Sequence, residues 1–577
     1  MSDCLNVRVK EGKVVRDNMG WGAFPNDADA LALGGPVLLI DNFFLSTSQI
    51  LIFGTDTDLF RYDEGTSTVV FITPRYETGT VSVTNGSAVV TGSGTTWSTN
   101  LKAGDRIALG ASETDPEATW YTIDTVDSDT QVTLTANYAE ATSSGEAYTA
   151  RLTFTGGVRD YWRTESFPKA QPGGDDLWFA TNGIDDVVTW DGVDDQVSVS
   201  TIGIKCKTLS RYKNMMIYGH ITVSGDLRSF SIRNSAIGEP ENVSTKEAAE
   251  FVVHDGVDPI VALVPLGDSL TVYGERSITL AQFVGPPLMF VFRAVIAGLG
   301  ALAGRAIADF GDFHEFLGAD AQYRFDGIGV SEMGSHVWRE ILRKQSPQRL
   351  DAIISHFDEE NGELLWGMPL NTDADPENGS IERVHVEHYL EEVGSDPTPF
   401  TIREVPATAF GFFERLDTLR FSDITTAWSE QNFRWNDRFL QAAFPFNLFG
   451  DANGNVFILN ERDSKAGAAI TSYARFGRVA AMDGVRKGVV RRIYPFTSRI
   501  PGVTYTLDVK VWRAESMADD RTLAGTFSHD LTHPEGRFFV SPRVSARYMQ
   551  IEFGTDGISE PWEISGYDID IVPSGAR

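Results

Sequence analysis

Short apolar runs alternate with clusters of turn-forming residues along most of this 577-residue chain. Early examples are 36–40, 49–53 and 69–72, which are separated by stretches rich in Asp, Ser, Thr and Gly. Apolar runs of roughly four to eight residues bounded by turn formers are typical of strands, whereas amphipathic helices need longer stretches with a 3.6-residue period. The pattern therefore predicts a mainly β protein built from antiparallel sheets.

One motif recurs at the ends of these runs. An aromatic residue is followed by Asp, and then by Gly at once or one residue later, at Tyr62–Gly65, Trp190–Gly192 and Phe325–Gly327. Asp-Gly suits a tight hairpin turn, because Gly supplies the positive φ that such turns need. The last two copies lie 135 residues apart, or about three units of ~45 residues, which is the length of a four-stranded propeller blade. The motif predicts a β-propeller platform.

The segment 75–155 interrupts this pattern, because Thr, Ser, Val and Gly replace most long charged side chains. It predicts five or six short strands of an inserted small β-barrel. Without about 80 inserted residues, the first two motif copies would lie about 48 residues apart, close to one blade. We therefore predict an N-terminal segment with the first blade or blades in 1–74, the remaining blades in 156–483, and a C-terminal β-sandwich or jelly roll in 484–577.

The charge balance argues against a nucleic-acid reader. The chain has 80 acidic and 49 basic residues and a net charge of −31, whereas proteins that bind nucleic acid carry clustered Lys and Arg. A strongly negative surface favours solubility, and it also suits a surface that DNA passes without adhering.

Two cysteines, Cys4 and Cys206, are too few for a disulfide framework or a cysteine metal site, so the sequence predicts folding in a reducing compartment. The most apolar window, 288–310, is interrupted by charges such as Arg305. A membrane-spanning helix needs ~20 largely uncharged residues, so we predict none. The polar segment 1–20 predicts no signal peptide.

Two motifs resemble ligand sites but lack the required spacing. The glycine-rich run 298–304 is one residue too long for the dinucleotide fingerprint, so it predicts a packing turn of small residues. His385 and His388 would point to opposite faces of a strand, so they predict surface histidines rather than a metal pair.

Acidic clusters also lack a supporting motif. The segment 451–455 begins like a calcium loop, but Val456 stands at the glycine position and Arg462 at the final glutamate position, so it predicts an Asn-Gly hairpin. The acidic groups 185–186 and 358–360 predict solvated turns. A glycosidase needs two carboxylates roughly 5–10 Å apart across a cleft, and propellers do host glycosidases. We therefore predict no catalytic, cofactor or metal residue and no enzyme, with a hydrolase as an alternative.

Several segments, taken in order, resemble the tail nozzle (hub) proteins of short-tailed bacteriophages. The run 259–278 is similar to a propeller strand pair of those proteins, and 313–320 and 323–327 follow it as they do there. The segment 92–134 resembles a small barrel module of phage virion proteins, and 562–577 resembles the end of the nozzle family.

The resemblance implies a structural virion protein of the phage tail that is made in the host cytoplasm and takes no cofactor. Copies would form a ring, usually six-fold, below the portal and adaptor proteins, and would attach tail fibres. Genomic DNA would be ejected through the ring without sequence-specific binding, and the protein would not insert stably into a membrane. The alternatives are another host-recognition or fibre-attachment platform, with Trp97 or Trp120 exposed rather than buried in a core, and a propeller-type polysaccharide depolymerase.

Overall fold

The computed structural model describes residues 3–26, 30–45, 49–110, 119–168, 176–253, 256–333, 335–374, 381–389, 399–414, 445–483, 485–500, 502–532 and 539–574. Within them the chain is mainly β, as predicted. The two helices found there are α1 (Trp97–Asn100) and α2 (Ser335–Leu342), with 3-10 turns at Gly304–Ala306 and Leu350–Ala352. Neither helix is long and apolar enough to cross a membrane.

The first third of the chain forms three sheets of its own and contributes four short strands to other sheets. The early strands are β1 (Asp3–Leu5), β2 (Arg8–Lys10), β3 (Lys13–Arg16) and β4 (Trp21–Ala23). Sheet I contains β5 (Leu39–Phe44), β6 (Gln49–Gly54), β7 (Leu59–Asp63) and β8 (Thr68–Phe71). An inserted sheet contains β9 (Arg75–Tyr76), β10 (Thr80–Val83), β11 (Val89–Ser93), β12 (Arg106–Leu109), β13 (Tyr121–Ser128), β14 (Gln131–Leu134), β15 (Ser143–Glu146) and β16 (Tyr148–Arg151). Sheet II contains β17 (Arg163–Phe167), β18 (Leu177–Thr181), β19 (Val188–Trp190) and β20 (Ser198–Val199).

Five further four-stranded sheets follow. Sheet III contains β21 (Ile204–Tyr212), β22 (Met215–Val223), β23 (Asp226–Asn234) and β24 (Ala249–Val252). Sheet IV contains β25 (Ile260–Leu266), β26 (Ser269–Gly274), β27 (Ser277–Gly285) and β28 (Met289–Ala297). Sheet V contains β29 (Ile307–Asp309), β30 (His314–Leu317), β31 (Gln322–Phe325) and β32 (Val330–Met333). Sheet VI contains β33 (Ile354–Asp358), β34 (Glu363–Gly367), β35 (Arg383–His388) and β36 (Phe400–Glu404). Sheet VII contains β37 (Ala409–Phe413), β38 (Phe446–Gly450), β39 (Val456–Leu459) and the early strand β4.

Sheets I to VII contact one another in a closed circuit. The first strands of neighbouring sheets touch in chain order, with the 3-10 turn before β29 contacting β25, and β37 of sheet VII contacts β5 of sheet I. Seven clusters of buried apolar side chains each join one sheet to the next, including sheet VII to sheet I. Burying one large apolar side chain contributes about 1.5–3 kcal/mol, so these seven interfaces hold the circuit together.

A strand from the chain's beginning completes sheet VII. Trp21 lies opposite Leu459 and Ala23 lies opposite Phe457, so β4 is the outer strand beside β39. The Trp21 ring contacts Phe449 edge-on at 5.5 Å between centroids. Residues more than 430 positions apart in the chain are therefore joined in one sheet.

The aromatic-Asp-Gly motif ends the third strand of sheets I, II and V, and the last two are three sheets apart, as the 135-residue spacing predicts. The Asp side chain builds each turn. The Asp326 carboxylate accepts hydrogen bonds from the backbone N–H groups of Ile328 and Gly329, each at 2.9 Å, and Asp191 accepts equivalent bonds. Gly327 has a φ of +85°, which is the conformation that selects glycine there.

The inserted sheet has eight strands in the order β15-β10-β11-β14-β13-β12-β16-β9. Within the described residues no ladder joins its end strands β15 and β9, so the predicted closed barrel is wrong. The sheet nevertheless has its own core around Trp97, which is fully buried and donates its indole N–H to Tyr148 Oη at 2.9 Å. A short connection joins the end strand β9 to β10, and another joins the end strand β15 to β16. Each end strand of the sheet is therefore connected to a strand near the opposite end.

Two more sheets pair strands from both ends of the chain. The final strands are β40 (Ser472–Arg475), β41 (Val479–Ala480), β42 (Gly488–Thr497), β43 (Thr506–Ala514), β44 (Thr522–Asp530), β45 (Val544–Ala546), β46 (Tyr548–Thr555) and β47 (Trp562–Pro573). One sheet has the order β1-β40-β46-β43-β44, with β41 beside β46, and the other has the order β2-β3-β47-β42-β45. Both sheets contribute side chains to one buried cluster. The predicted domain boundaries did not anticipate the participation of β1 to β3, because short strands carry no signal of a distant partner.

Candidate functional site

A cavity of about 1450 Å³ lies against the first strands of sheets II, III and IV. Arg163 of β17, Lys207 of β21 and Val261 of β25 line it, together with the segment 298–305 that leads into sheet V and Asp351 ahead of sheet VI. Since the first strands form the inner circuit, this cavity lies at the centre of the seven sheets.

Arg305 lies at that centre, because its side chain contacts chain segments that lead into several different sheets. Its guanidinium donates to the carbonyl of Thr408 at 2.7 Å and to that of Ala352 at 3.3 Å. It also stacks 3.4 Å from the centroid of the Tyr161 ring. The Nε–H is buried and has no hydrogen-bond partner. Burial lowers the pKa of Arg305, and the nearby Arg349 adds to this effect.

Arg163 faces the same cavity and lacks a counterion. Within the described residues no hydrogen bond or ion pair engages its guanidinium. Burial, reinforced by the positive charge of Arg305, lowers its pKa to about 9. A Cβ at position 304 would lie 2.5 Å from its Nη2, so Gly304 leaves the space that the guanidinium occupies.

A third arginine lies beside the first two. Arg349 is fully buried, pairs with the Asp351 carboxylate at 3.1 Å and donates to Tyr161 Oη at 3.0 Å. Of the cluster formed by Arg163, Arg305 and Arg349, only Arg349 is paired with a carboxylate within the described residues. Like charges brought together out of water are unfavourable unless an anion compensates them.

His220 lines the cavity from β22 in a strained conformation. Its φ is +55°, where the register of β22 against β23 shifts between Gly219 and Ile221. Its Nδ1 lies 3.1 Å from the carbonyl oxygen of Ile260. Burial lowers the pKa of His220, and the positive charge of Lys207 lowers it further, so the ring is neutral near pH 7. Bulges and left-handed residues cluster at functional sites, because they redirect side chains.

The glycine run 298–304 forms a wall of this cavity and is a packing segment, as predicted. A Cβ on Gly300 would lie 2.1 Å from the carbonyl oxygen of Gly274, so the two backbones are in close contact. The cavity itself was not predicted. Its sequence signal is the charge of Arg305 within an apolar window, which gives no indication of the other sheets that surround it.

The prediction of surface histidines at 385 and 388 is wrong, since both side chains are buried. His388 Nδ1 lies 3.2 Å from the Glu363 carboxylate, while the His385 ring lies 6.3 Å from that of Trp338. The two side chains face different neighbours, because residues three positions apart on strand β35 point to opposite faces of the sheet. The misprediction arises because sheet VI is covered on both faces. No cluster of potential metal ligands occurs within the described ranges.

The acidic clusters give a mixed result. The hairpin at 451–455 is confirmed, because it joins β38 to β39 and Asp451 Oδ1 accepts the N–H groups of Asn453 and Asn455 at 2.9 and 2.8 Å. The prediction of solvated charge is wrong for Asp358, which is fully buried and accepts a hydrogen bond from Asn460 at 2.7 Å.

The two tryptophans singled out as possible ligand contacts do not form an exposed pair. Trp97 is a core residue of the inserted sheet, and Trp120 is half-buried with the Arg151 guanidinium 4.1 Å from its ring centroid. The closing residues 575–577 of the nozzle-like segment lie outside the described part of the chain.

Comparisons with known proteins identify no family. No protein-family model and no curated protein sequence matches the chain. Among solved structures, the AfRom2 CNH domain is 7% identical with a TM-score of 0.27, over 74% of this chain and 95% of that chain. The phage phi92 endosialidase is 10% identical with a TM-score of 0.19, over 63% of this chain and 56% of that chain. Likenesses of this degree support no conclusion about family or activity.

Proposed function

We propose that this chain is a non-enzymatic structural subunit of a short-tailed bacteriophage tail. Sheets I to VII would be the blades of a seven-bladed β-propeller that carries the inserted sheet and the two terminal sheets as accessory domains. The observation that carries the proposal is the closed circuit of seven four-stranded sheets, completed by β4. The ordered motifs that resemble nozzle proteins supply the tail assignment.

In this proposal, copies of the chain form a six-fold ring below the portal and adaptor proteins, and tail fibres attach to the ring. The net charge of −31 per copy supports this role. A DNA-lining surface with few Lys and Arg makes few of the phosphate contacts that retain DNA. The genome would therefore pass along the ring without specific binding.

The outer edge of sheet IV is the surface that we expect a neighbouring copy to cover. Its edge strand β28 is nine residues long and exposes Val291, and the adjoining hairpin exposes Val284 and Leu288. Ile328 of sheet V is 83% exposed, and the preceding Gly327 carbonyl accepts a hydrogen bond from Arg293 of β28 at 3.0 Å. Long apolar edges promote association unless a partner covers them.

The test is native mass spectrometry with negative-stain imaging of the full chain, alone and mixed with neighbouring tail proteins. We expect closed rings, and we expect Val291→Lys to shift the distribution towards monomer, because it places a charge in the covered edge. The matched control is Val193→Lys, which replaces a 79%-exposed valine in a turn of sheet II.

A persistent monomer that ignores tail proteins would contradict the ring. Cleavage of capsular polysaccharide by such a monomer would favour the depolymerase alternative. Rings that are equally impaired by both variants would show that β28 is not the contact, while leaving the ring itself in place.

A further inference from the structure

We propose that the central cavity binds a phosphorylated small molecule, with its phosphate group held between Arg163 and Arg305. Both side chains line the cavity, and neither forms an ion pair with a carboxylate within the described ranges, although both terminal nitrogens of Arg305 donate to backbone carbonyls. Arg163 has no acceptor there, and the buried Nε–H of Arg305 has no hydrogen-bond partner. The positive charge of Arg163, placed beside that of Arg305 without a carboxylate partner in the described residues, favours an anion at this position.

The chemistry of the donors favours phosphate. Guanidinium groups present parallel N–H donors that match two oxygens of one phosphate, and such charge-assisted bonds are stronger than neutral ones. A phosphate at this position would also reduce the mutual repulsion of Arg163 and Arg305. Lys207 and Arg276 also line the cavity, and both are exposed.

Four carboxylates line the cavity together with five basic side chains. Asp351 pairs with Arg349, and Asp160 accepts the N–H of Gly157 at 2.9 Å. Glu275 and Asp320 are exposed. Exposed charges are screened by water and salt, whereas the partly buried arginines are screened less.

The volume of the cavity indicates how large its ligand can be. Small-molecule sites usually measure about 300–1,000 Å³, and this cavity of about 1450 Å³ has room for more than the phosphate alone. His220 and Thr222 line the cavity beside Lys207 and supply neutral polar groups, which suit hydroxyl groups of an attached sugar. A sugar phosphate or a nucleotide fits this combination of a charged and a neutral polar wall.

The experiment is isothermal titration calorimetry on the full chain at constant ionic strength, with inorganic phosphate, glucose 6-phosphate and adenosine monophosphate as probes. We expect measurable binding of at least one phosphorylated small molecule, tighter than that of inorganic phosphate. Arg163→Gln should weaken binding roughly tenfold or more, because it removes a charged bidentate donor. The matched control Arg343→Gln, an exposed arginine outside the cavity, should bind like the original chain.

A second measurement separates a binding role from a structural one. Because Arg163 has no partner to lose, Arg163→Gln should leave the melting temperature of the ligand-free protein unchanged or raise it. A large fall in that temperature would mean that Arg163 holds the fold, and it would overturn the proposal. Absence of binding by all three probes, or equal binding to both variants, would also overturn it. So would Arg163-dependent binding of a single-stranded oligonucleotide without binding of the small molecules.

Discussion

At the residue scale, the buried charge network around Glu363 shows how the circuit and the terminal sheets are tied together. Both oxygens of Glu363 accept from Arg403 Nη2 at 2.5 Å, and Arg8 of β2 lies 3.4 Å away. Burial opposes ionisation of the Glu363 carboxyl, but Arg403 and Arg8 outweigh it and hold its pKa well below the ordinary value. An ion network of this kind is costly to break, because each remaining charge stays buried.

Glu363→Gln should destabilise the protein by about 3–5 kcal/mol, because Arg403 and Arg8 would remain buried without their counterion. The measurement is chemical unfolding at pH 7, with Glu359→Gln at an exposed neighbouring position as the control. A decrease of less than about 1 kcal/mol in the free energy of unfolding, which is the range of surface ion pairs, would contradict the role of Glu363 as a buried counterion.

The same carboxyl predicts a pH dependence. Its folded pKa lies below its unfolded value of about 4.3, so its stabilising contribution is complete above that unfolded pKa. The contribution should be lost as the pH falls from about 4.3 towards the folded pKa. The difference in melting temperature between the original chain and Glu363→Gln should therefore shrink as the pH falls from about 4.3 to 3, and a difference that stays constant from pH 7 to pH 3 would be inconsistent with a lowered folded pKa.

At the element scale, the strand pattern could be predicted from the sequence, but the number of sheets could not. The third strands of sheets I, II and V end in an aromatic-Asp-Gly motif, whereas those of sheets III and VI end at Asn234 and His388. Nothing local to Trp21 indicates that it pairs with Leu459. The cavity cluster was unpredictable for the same reason, since Arg305 meets Tyr161 and Thr408 only after the circuit closes.

The closing strand β4 gives the element-scale prediction. Trp21→Ala should destabilise the protein by about 3–5 kcal/mol, as expected for truncation of a buried tryptophan, because Trp21 packs against Phe449 and Phe457. Hydrogen exchange should show β39 losing protection, since it becomes an edge strand. Lys10→Ala, at the exposed end of β2 in the same N-terminal segment, should leave β39 protected, and equal loss in both variants would contradict a specific role for β4.

At the scale of the whole molecule, the proposed ring brings together copies that each carry a net charge of −31. Such copies repel one another at long range, and the contact that we expect is the apolar edge of sheet IV. Salt screens the repulsion beyond a Debye length, which is about 10 Å at 0.1 M, and strengthens apolar contacts little at that concentration.

The ring should therefore be favoured by salt. Sedimentation velocity should show more of the assembled species at about 0.3 M than at about 0.01 M sodium chloride, where the Debye length reaches about 30 Å. Dissociation on adding salt would indicate a contact held by opposite charges rather than by the β28 edge.

The pairing of early strands with late ones has a consequence for biosynthesis. As the ribosome releases the chain, β1 to β4 emerge first, yet β4 waits for β39 and β3 waits for β47, which ends at Pro573. Domains generally fold as units during synthesis, but sheet VII cannot be completed until β39 has been made, and the sheet that contains β3 cannot be completed until β47 has been made. A product terminated before β39 would lack both partners, and it would reach the assembly site unable to close its circuit or take a place among complete copies.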